Sequence, residues 1–123
     1  MAVVELNKDN FEQTINENDF VIVDFWAPWC APCRSFAPTY DKVSGDYDNI
    51  VFAKVNTEDE QEIAVHFQIR SIPTLMIFRE KIIIFSQPGA LPESSFKQLV
   101  DRAGELDMDD VRKQISEEQQ KNA

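Results

Sequence analysis

Three features of this 123-residue sequence predict an α/β fold built on a mixed central sheet. Apolar runs alternate with stretches whose apolar residues recur at helical spacing, which implies parallel strands joined by right-handed crossovers. Two late apolar runs, at 75–78 and 82–85, are separated only by Arg79-Glu80-Lys81, which adds an antiparallel hairpin. Phe20 to Trp26 is apolar at both alternating positions except for Asp24, as a central strand covered on both faces must be. The expected sheet has about five strands with helices on both faces, in the order β-α-β-α-β-α-β-β-α.

Val3-Val4-Glu5-Leu6 reads as a short strand, and Asn7 is placed to cap a helix carrying Phe11 and Ile15. Asn16-Glu17-Asn18-Asp19 is a polar turn before the central strand. After the cysteines, Phe36, Tyr40, Val43 and Tyr47 recur at helical spacing, with a bend expected at Pro38. Residues 50–55 form the next strand, with Lys54 inside it, and residues 58–67 a helix with Ile63 and Phe67 on one face. The hairpin that follows lacks a turn glycine, so its turn type stays open. Its second arm, from Ile82 to Phe85, is more apolar than a half-exposed edge strand needs, so the C-terminal tail or a partner chain is expected to cover part of it. Pro92 opens a helix carrying Phe96, Leu99 and Val100.

Beyond Ala103 the chain turns polar and acidic. Asp107 is placed to cap a short helix with a weak Met108, Val111, Ile115 stripe, and residues 117–123 are expected to fray. The division is a domain at 1–103 and an acidic extension at 104–123. There is no internal repeat, low-complexity block or inter-domain linker.

A chain of this length supports one domain with a real core. Its net charge of −10, from 12 Lys+Arg against 22 Asp+Glu, opposes binding to nucleic-acid phosphates or anionic membranes. No basic start followed by a signal-length apolar run opens the sequence, and no stretch approaches the ~20 apolar residues of a membrane span. A soluble, cytoplasmic protein is expected.

Cys30 and Cys33 are the only cysteines, and they sit where a strand hands over to a helix. A helix start presents unpaired N–H groups and the positive end of the dipole, which stabilise a thiolate and lower the thiol pKa. Cys30 is then the natural nucleophile, and Cys33, one turn on, can close a disulfide and release a partner. Pro32 suits the first helical turn, where its missing N–H is no loss. A zinc site would need about four ligands, and His66 is the only histidine. An inert structural disulfide is the other alternative, but so short a loop constrains the unfolded chain little. A redox dithiol is the better reading. His66 itself reads as a surface helix residue.

Asp24, if buried, should have a raised pKa and could take the proton from Cys33; a strand-end carboxylate open to water is the alternative. Lys54 is equally well a snorkelling strand lysine. Pro73, in Arg70-Ser71-Ile72-Pro73-Thr74, could be an ordinary trans proline opening a strand or a cis proline that presents the Ile72 backbone to a substrate strand. Gly89 is one of three glycines and suggests either a close backbone approach or a plain turn. Trp29 is placed to rim a substrate groove, while Trp26 could be core.

The run Asp24-Phe25-Trp26-Ala27-Pro28-Trp29-Cys30-Ala31-Pro32-Cys33 resembles the active site of the thioredoxin family, with Ala31 where that family usually has glycine. The likeness extends from Val3 to about Ala103 and includes the Arg70–Thr74 segment and Gly89 in the right order. It implies a thioredoxin fold and a protein-disulfide reductase working by dithiol–disulfide exchange, with Cys30 as nucleophile and Cys33 as resolving thiol. It implies that Asp24 assists Cys33, that Lys54 tunes Asp24, and that Pro73 is cis and faces the disulfide. Trp29, Ala31, Pro32, Ile72, Pro73 and Gly89 would then line the substrate site. The resemblance implies no bound cofactor beyond the Cys30–Cys33 disulfide and no metal, with NADPH used indirectly through a flavin-dependent thioredoxin reductase. The partners implied are that reductase and disulfide-containing proteins, met by a monomer. The Ala31-Pro32 pair lacks the histidine of oxidase and isomerase motifs, which favours a reductant. Two alternatives stay open: an oxidase or isomerase of an oxidising compartment, and a binding subunit of the same fold with a dispensable dithiol.

Overall fold

A computed structural model describes residues 3–122; Met1, Ala2 and Ala123 lie outside the described residues. The elements follow the expected order: β1 (Val4–Glu5), α1 (Phe11–Glu17), β2 (Phe20–Trp26), α2 (Ala31–Ser44), β3 (Val51–Asn56), α3 (Gln61–His66), β4 (Thr74–Arg79), β5 (Ile82–Pro88) and α4 (Glu93–Glu105). A further helix, α5 (Met108–Lys121), ends the chain. The five strands form one sheet in the order β1-β3-β2-β4-β5. β1, β3 and β2 run parallel, and β4 and β5 add antiparallel pairs.

The side-chain parity of β2 divides the core into two layers. Val21, Val23 and Phe25 point to one face, where Ile15 of α1 and Ile63 of α3 cover them. Phe20 and Ile22 point to the other, under Phe36, Tyr40 and Val43 of α2 and Phe96 and Val100 of α4. Each apolar side chain buried this completely contributes roughly 1.5–3 kcal/mol. Alternation assigns Asp24 to the second face, beneath α2. The continuous apolar run of β2 is thus the signature of a strand with helices on both sides.

Several boundaries differ from expectation, each for a local reason. Asn7 does not cap α1; its side chain accepts from the N–H groups of Asp9 (2.8 Å) and Asn10 (3.1 Å), which makes a turn one step earlier. α3 starts later than the apolar spacing suggests, because Asn56 closes a turn by accepting from the N–H of Glu58 at 3.0 Å. α2 runs through Pro38 without a break. α5 persists to Lys121 instead of fraying from 117, with the Asp107 side chain accepting from the N–H groups of Asp109 and Asp110 at its start. α4 continues past Ala103 to Glu105, so one helix spans that position.

The hairpin resolves two open points. Its loop is the two residues Glu80 and Lys81, both at positive φ (51° and 70°), the type I′ pattern built without glycine. The apolar run in β5 reflects a bulge. Phe78 pairs with Ile83 and Ile77 with Phe85, so Ile84 is an extra residue. The shift lets both Ile84 and Phe85 pack on the α2/α4 core layer. Ile83 stays exposed, so the tail does not cover it. The extension is anchored instead at its start, where Met108 is buried and Arg112 pairs with Glu80 at 2.6 Å.

Candidate active site

α2 begins immediately after Cys30, which is its N-cap residue in extended conformation. The Cys30 sulfur accepts from the Cys33 N–H at 3.2 Å, so the helix start already directs a donor at this atom. Pro32 occupies the first turn, where no N–H is required of it. The two cysteines form a disulfide, with their Cα atoms 5.2 Å apart. Both are buried, packed with Ala27 and against Trp26 and Ile72.

Around the disulfide lies an exposed rim. Trp29 is 67% exposed, and Ala31 and Pro32 are also at the surface. Across from them, the Ile72–Pro73 peptide is cis, as the family resemblance implies, and the Ile72 carbonyl oxygen lies 3.7 Å from the Cys30 sulfur. Gly89 joins this edge by donating its N–H to the Pro73 carbonyl at 2.8 Å. Its reason for being glycine is conformational: φ is +110°, and a Cβ there would meet nothing within 4 Å. The close-approach reading of Gly89 therefore does not hold within the chain itself.

Beneath the disulfide, a cavity of about 70 Å³ joins Cys33 to Asp24, Trp26, Tyr40 and Lys54. Cys30 does not line it. Asp24 is only 3% exposed, and neither its Oδ1 nor the buried Trp26 Nε1 has a hydrogen-bond partner among the described residues. Burial pushes the Asp24 carboxyl up to about 7, against a smaller opposing pull from the Lys54 charge. Lys54 stands opposite Asp24 in the β2–β3 register. Its amine lies 4.6 Å from the Trp26 ring centre and 3.6 Å from a Glu5 carboxylate oxygen. It is shared between the cavity and the surface, so both readings of this lysine capture part of its placement.

Spacing from the cysteines carries further residues into the site. Ala37, Tyr40 and Asp41 follow Cys33 at helical intervals and line the same cavity, together with the adjacent Arg34. Arg34 also donates to the Pro28 carbonyl at 2.8 Å, which ties the active-site turn to α2. The helical periodicity places Tyr40 only among core residues; its position seven residues after Cys33 is the signal that it shares the cavity wall. His66 lies exposed on α3, outside this cluster.

A family model described as Thioredoxin matches residues 2–102. The chain belongs to the thioredoxin family. It is 51% identical to a Streptomyces coelicolor protein named "Putative thioredoxin 2", over 96% of this chain and 88% of that one. That match takes in most of the segment after Ala103. It is 40% identical to the thioredoxin of Porphyra purpurea, over 83% of this chain and 97% of the relative. A solved Plasmodium falciparum thioredoxin superposes with a TM-score of 0.76 at 34% identity, covering 81% of this chain and 98% of the other. Members of this family are thiol–disulfide oxidoreductases, and Cys30–Cys33 stands at the active-site position of this one. The oxidase, isomerase and dispensable-dithiol alternatives are not favoured by these relatives. Thioredoxins carry their redox disulfide within the chain and bind no cofactor; among the described residues no group of three or more His, Cys, Asp or Glu could hold a metal. Disulfide-containing substrates and thioredoxin reductase are the family's general partners. No described helix is long and apolar enough to cross a membrane.

Proposed function

We propose that the chain is a cytoplasmic, monomeric protein-disulfide reductase in which the two cysteines have fixed and unequal roles. The observation that carries the assignment is the one-sided cavity: Cys33 shares it with Asp24, and Cys30 does not. Cys30, held at the helix N-cap with a donor on its sulfur, is the thiolate that attacks a substrate disulfide. One substrate sulfur leaves and is protonated, and the other is bonded to Cys30. Cys33 then gives its proton to the Asp24 carboxylate and attacks the Cys30 sulfur, closing Cys30–Cys33 and expelling the second substrate thiolate. That thiolate takes up a proton from water and Asp24 releases its own, so overall the substrate gains two electrons and two protons and the dithiol loses them. Lys54 tempers the Asp24 charge in this step.

Trp29, Ala31, Pro32, Ile72, Pro73 and Gly89 form the surface that receives the substrate strand, with the Ile72 backbone available for pairing as an added edge. A flavin-dependent thioredoxin reductase, drawing on NADPH, restores the dithiol. Residues 1–103 constitute the redox domain, and 104–123 form an acidic extension outside the reaction. Replacing Cys33 with Ser tests the order of attack. Substrate proteins should accumulate as disulfide adducts on Cys30, released by added dithiol. Cys30→Ser should trap none, and the reverse pattern would overturn the assignment.

A further inference from the structure

Thr74 is a polar residue buried where an apolar one would serve the core. It opens β4 opposite Phe25 of β2, and strand parity puts it on the face where Met76 and Phe78 are buried among apolar side chains. It is 6% exposed. A valine there would have the same branching and no hydroxyl to satisfy. The Thr74 hydroxyl donates to the Ser71 carbonyl at 2.6 Å, three residues back and outside the sheet. A core position is thus used to tie the loop that leads into the strand.

That loop runs beside the disulfide, and its three successive carbonyls are placed differently. Ser71 accepts from the Thr74 hydroxyl, and Pro73 accepts from the Gly89 N–H at 2.8 Å. The Ile72 carbonyl, between them, lies 3.7 Å from the Cys30 sulfur, and a disulfide sulfur has no hydrogen to give it. No N–H or O–H of the described residues reaches this carbonyl, and the Ile72 N–H donates to none of them. The carbonyls on both sides are fixed, so the Ile72 backbone is held with both of its polar groups unpaired. A backbone held in its binding conformation loses less freedom when a partner strand pairs with it.

We propose that Thr74 is a positioning residue for substrate recognition: its hydroxyl, by holding the Ser71 carbonyl, sets the Ile72 backbone to pair with the main chain beside a substrate's cysteine. The inference rests on the proposed pairing of a substrate strand with Ile72, and names the side chain that prepares it. Recognition of this kind reads main chain. It selects disulfides whose cysteines lie in extended, accessible segments, whatever the neighbouring side chains. Thr74 acts through the loop and not on the sulfurs.

The test uses three disulfides: a disulfide-linked pair of extended peptides, the same pair methylated on the backbone nitrogens at and beside the cysteines, and bis(2-hydroxyethyl) disulfide, which has no main chain. The rate at which the reduced full-length protein reduces each is followed by tryptophan fluorescence. The wild-type protein should prefer the unmethylated peptide to its methylated form. Thr74→Val should lower the peptide rate about threefold to tenfold relative to the small disulfide, the loss expected of one net hydrogen bond, and should shrink the preference over the methylated form. Thr74→Ser, which keeps the hydroxyl, should restore both ratios. If Thr74→Val left both ratios at their wild-type values, the hydroxyl would be a strut for the turn and the proposal would be overturned. A Thr74→Ser protein that behaved like Thr74→Val would overturn it too. Should Thr74→Val not fold, Thr74→Ala carries the same comparison, because ratios between substrates cancel a general loss of active protein. Equal wild-type rates for the two peptides would overturn the pairing at Ile72, and this proposal with it. A wild-type preference that Thr74→Val left intact would overturn the role of Thr74 alone.

Discussion

At its C-terminal end β2 delivers Asp24 and Trp26 to a cavity where each has a buried polar atom with no partner among the described residues. At its N-terminal end, about 20 Å away along a seven-residue strand, Phe20 pairs with Arg79 beside a turn whose two residues both have positive φ. Both ends hold something energetically awkward. At the turn, the residues beside and in the bend are tied: Glu80 donates its N–H to the Asp19 carbonyl at 2.7 Å, Arg79 donates to the Ala103 carbonyl, and Arg112 pairs with Glu80. Under the disulfide the awkwardness is left unresolved, next to the thiol that must lose a proton. On the mechanism proposed above, the contrast separates strain that serves the fold from strain that serves the reaction.

The largest expected effect comes from relieving the unresolved end. Below the ordinary carboxylate value of 3.8, Asp24 is protonated in the folded and unfolded chain alike. As pH rises towards about 7 the unfolded chain releases this proton and the folded chain retains it, so stability falls. Above about 7 the folded chain carries a constant penalty on the order of 4 kcal/mol. Asp24→Asn should therefore stabilise the oxidised protein by several kcal/mol at pH 8 and by little at pH 4, while slowing release of the mixed disulfide. Urea unfolding at the two pH values measures the first effect. Equal stabilisation at both would mean that the carboxyl is not held protonated by burial.

At the tied end, the next largest effect belongs to Met108. It is buried although the rest of its helix projects a mostly exposed surface. Met108→Ala should cost about 2–3 kcal/mol in urea unfolding. It should leave the Cys33 trapping pattern untouched, because the turn and the dithiol occupy opposite ends of β2. A loss of trapping with the fold intact would show that the two ends are coupled.

The sequence made the dithiol end largely readable and the turn end much less so. Cys30 and Cys33 declare themselves by spacing, Pro73 by its motif, and Asp24 by interrupting an apolar strand. Tyr40 stayed hidden because its aromatic body satisfies the helical core pattern, and nothing local reveals that its hydroxyl reaches two strands. Gly89 was legible as a necessary glycine but not for the right reason, since φ and close approach leave the same mark. At the turn, the polar break at Arg79-Glu80-Lys81 places the hairpin, but Glu80 and Lys81 give no sign of its type. Their backbone is imposed by the pairing of β4 with β5 and by contacts from Asp19 and Arg112, 61 and 32 positions away from Glu80 in a chain sense too distant for a local rule. The bulge at Ile84 was present only as an excess of apolar residues, which a tail or a partner would have explained as well.

The smallest effect sharpens the comparison most, because it should improve one end and leave the other alone. Lys81 has φ of +70°, and an L-residue there loses roughly 1–2 kcal/mol to contact between Cβ and the following carbonyl. Lys81→Gly removes that contact but gives the unfolded chain more freedom, which takes back about 0.4–1 kcal/mol. The net expectation is a gain of about 0.5–1 kcal/mol, read as a higher urea midpoint with an unchanged slope. Disulfide exchange, followed by trapping on Cys30 in a Cys33→Ser background, should keep its rate. If the turn residue instead proved neutral, the ties from Asp19, Ala103 and Arg112 would already hold a backbone that glycine cannot relax further. If it changed the exchange rate, the turn would belong with Asp24 among the features kept for chemistry, and the division between the two ends of β2 would fail.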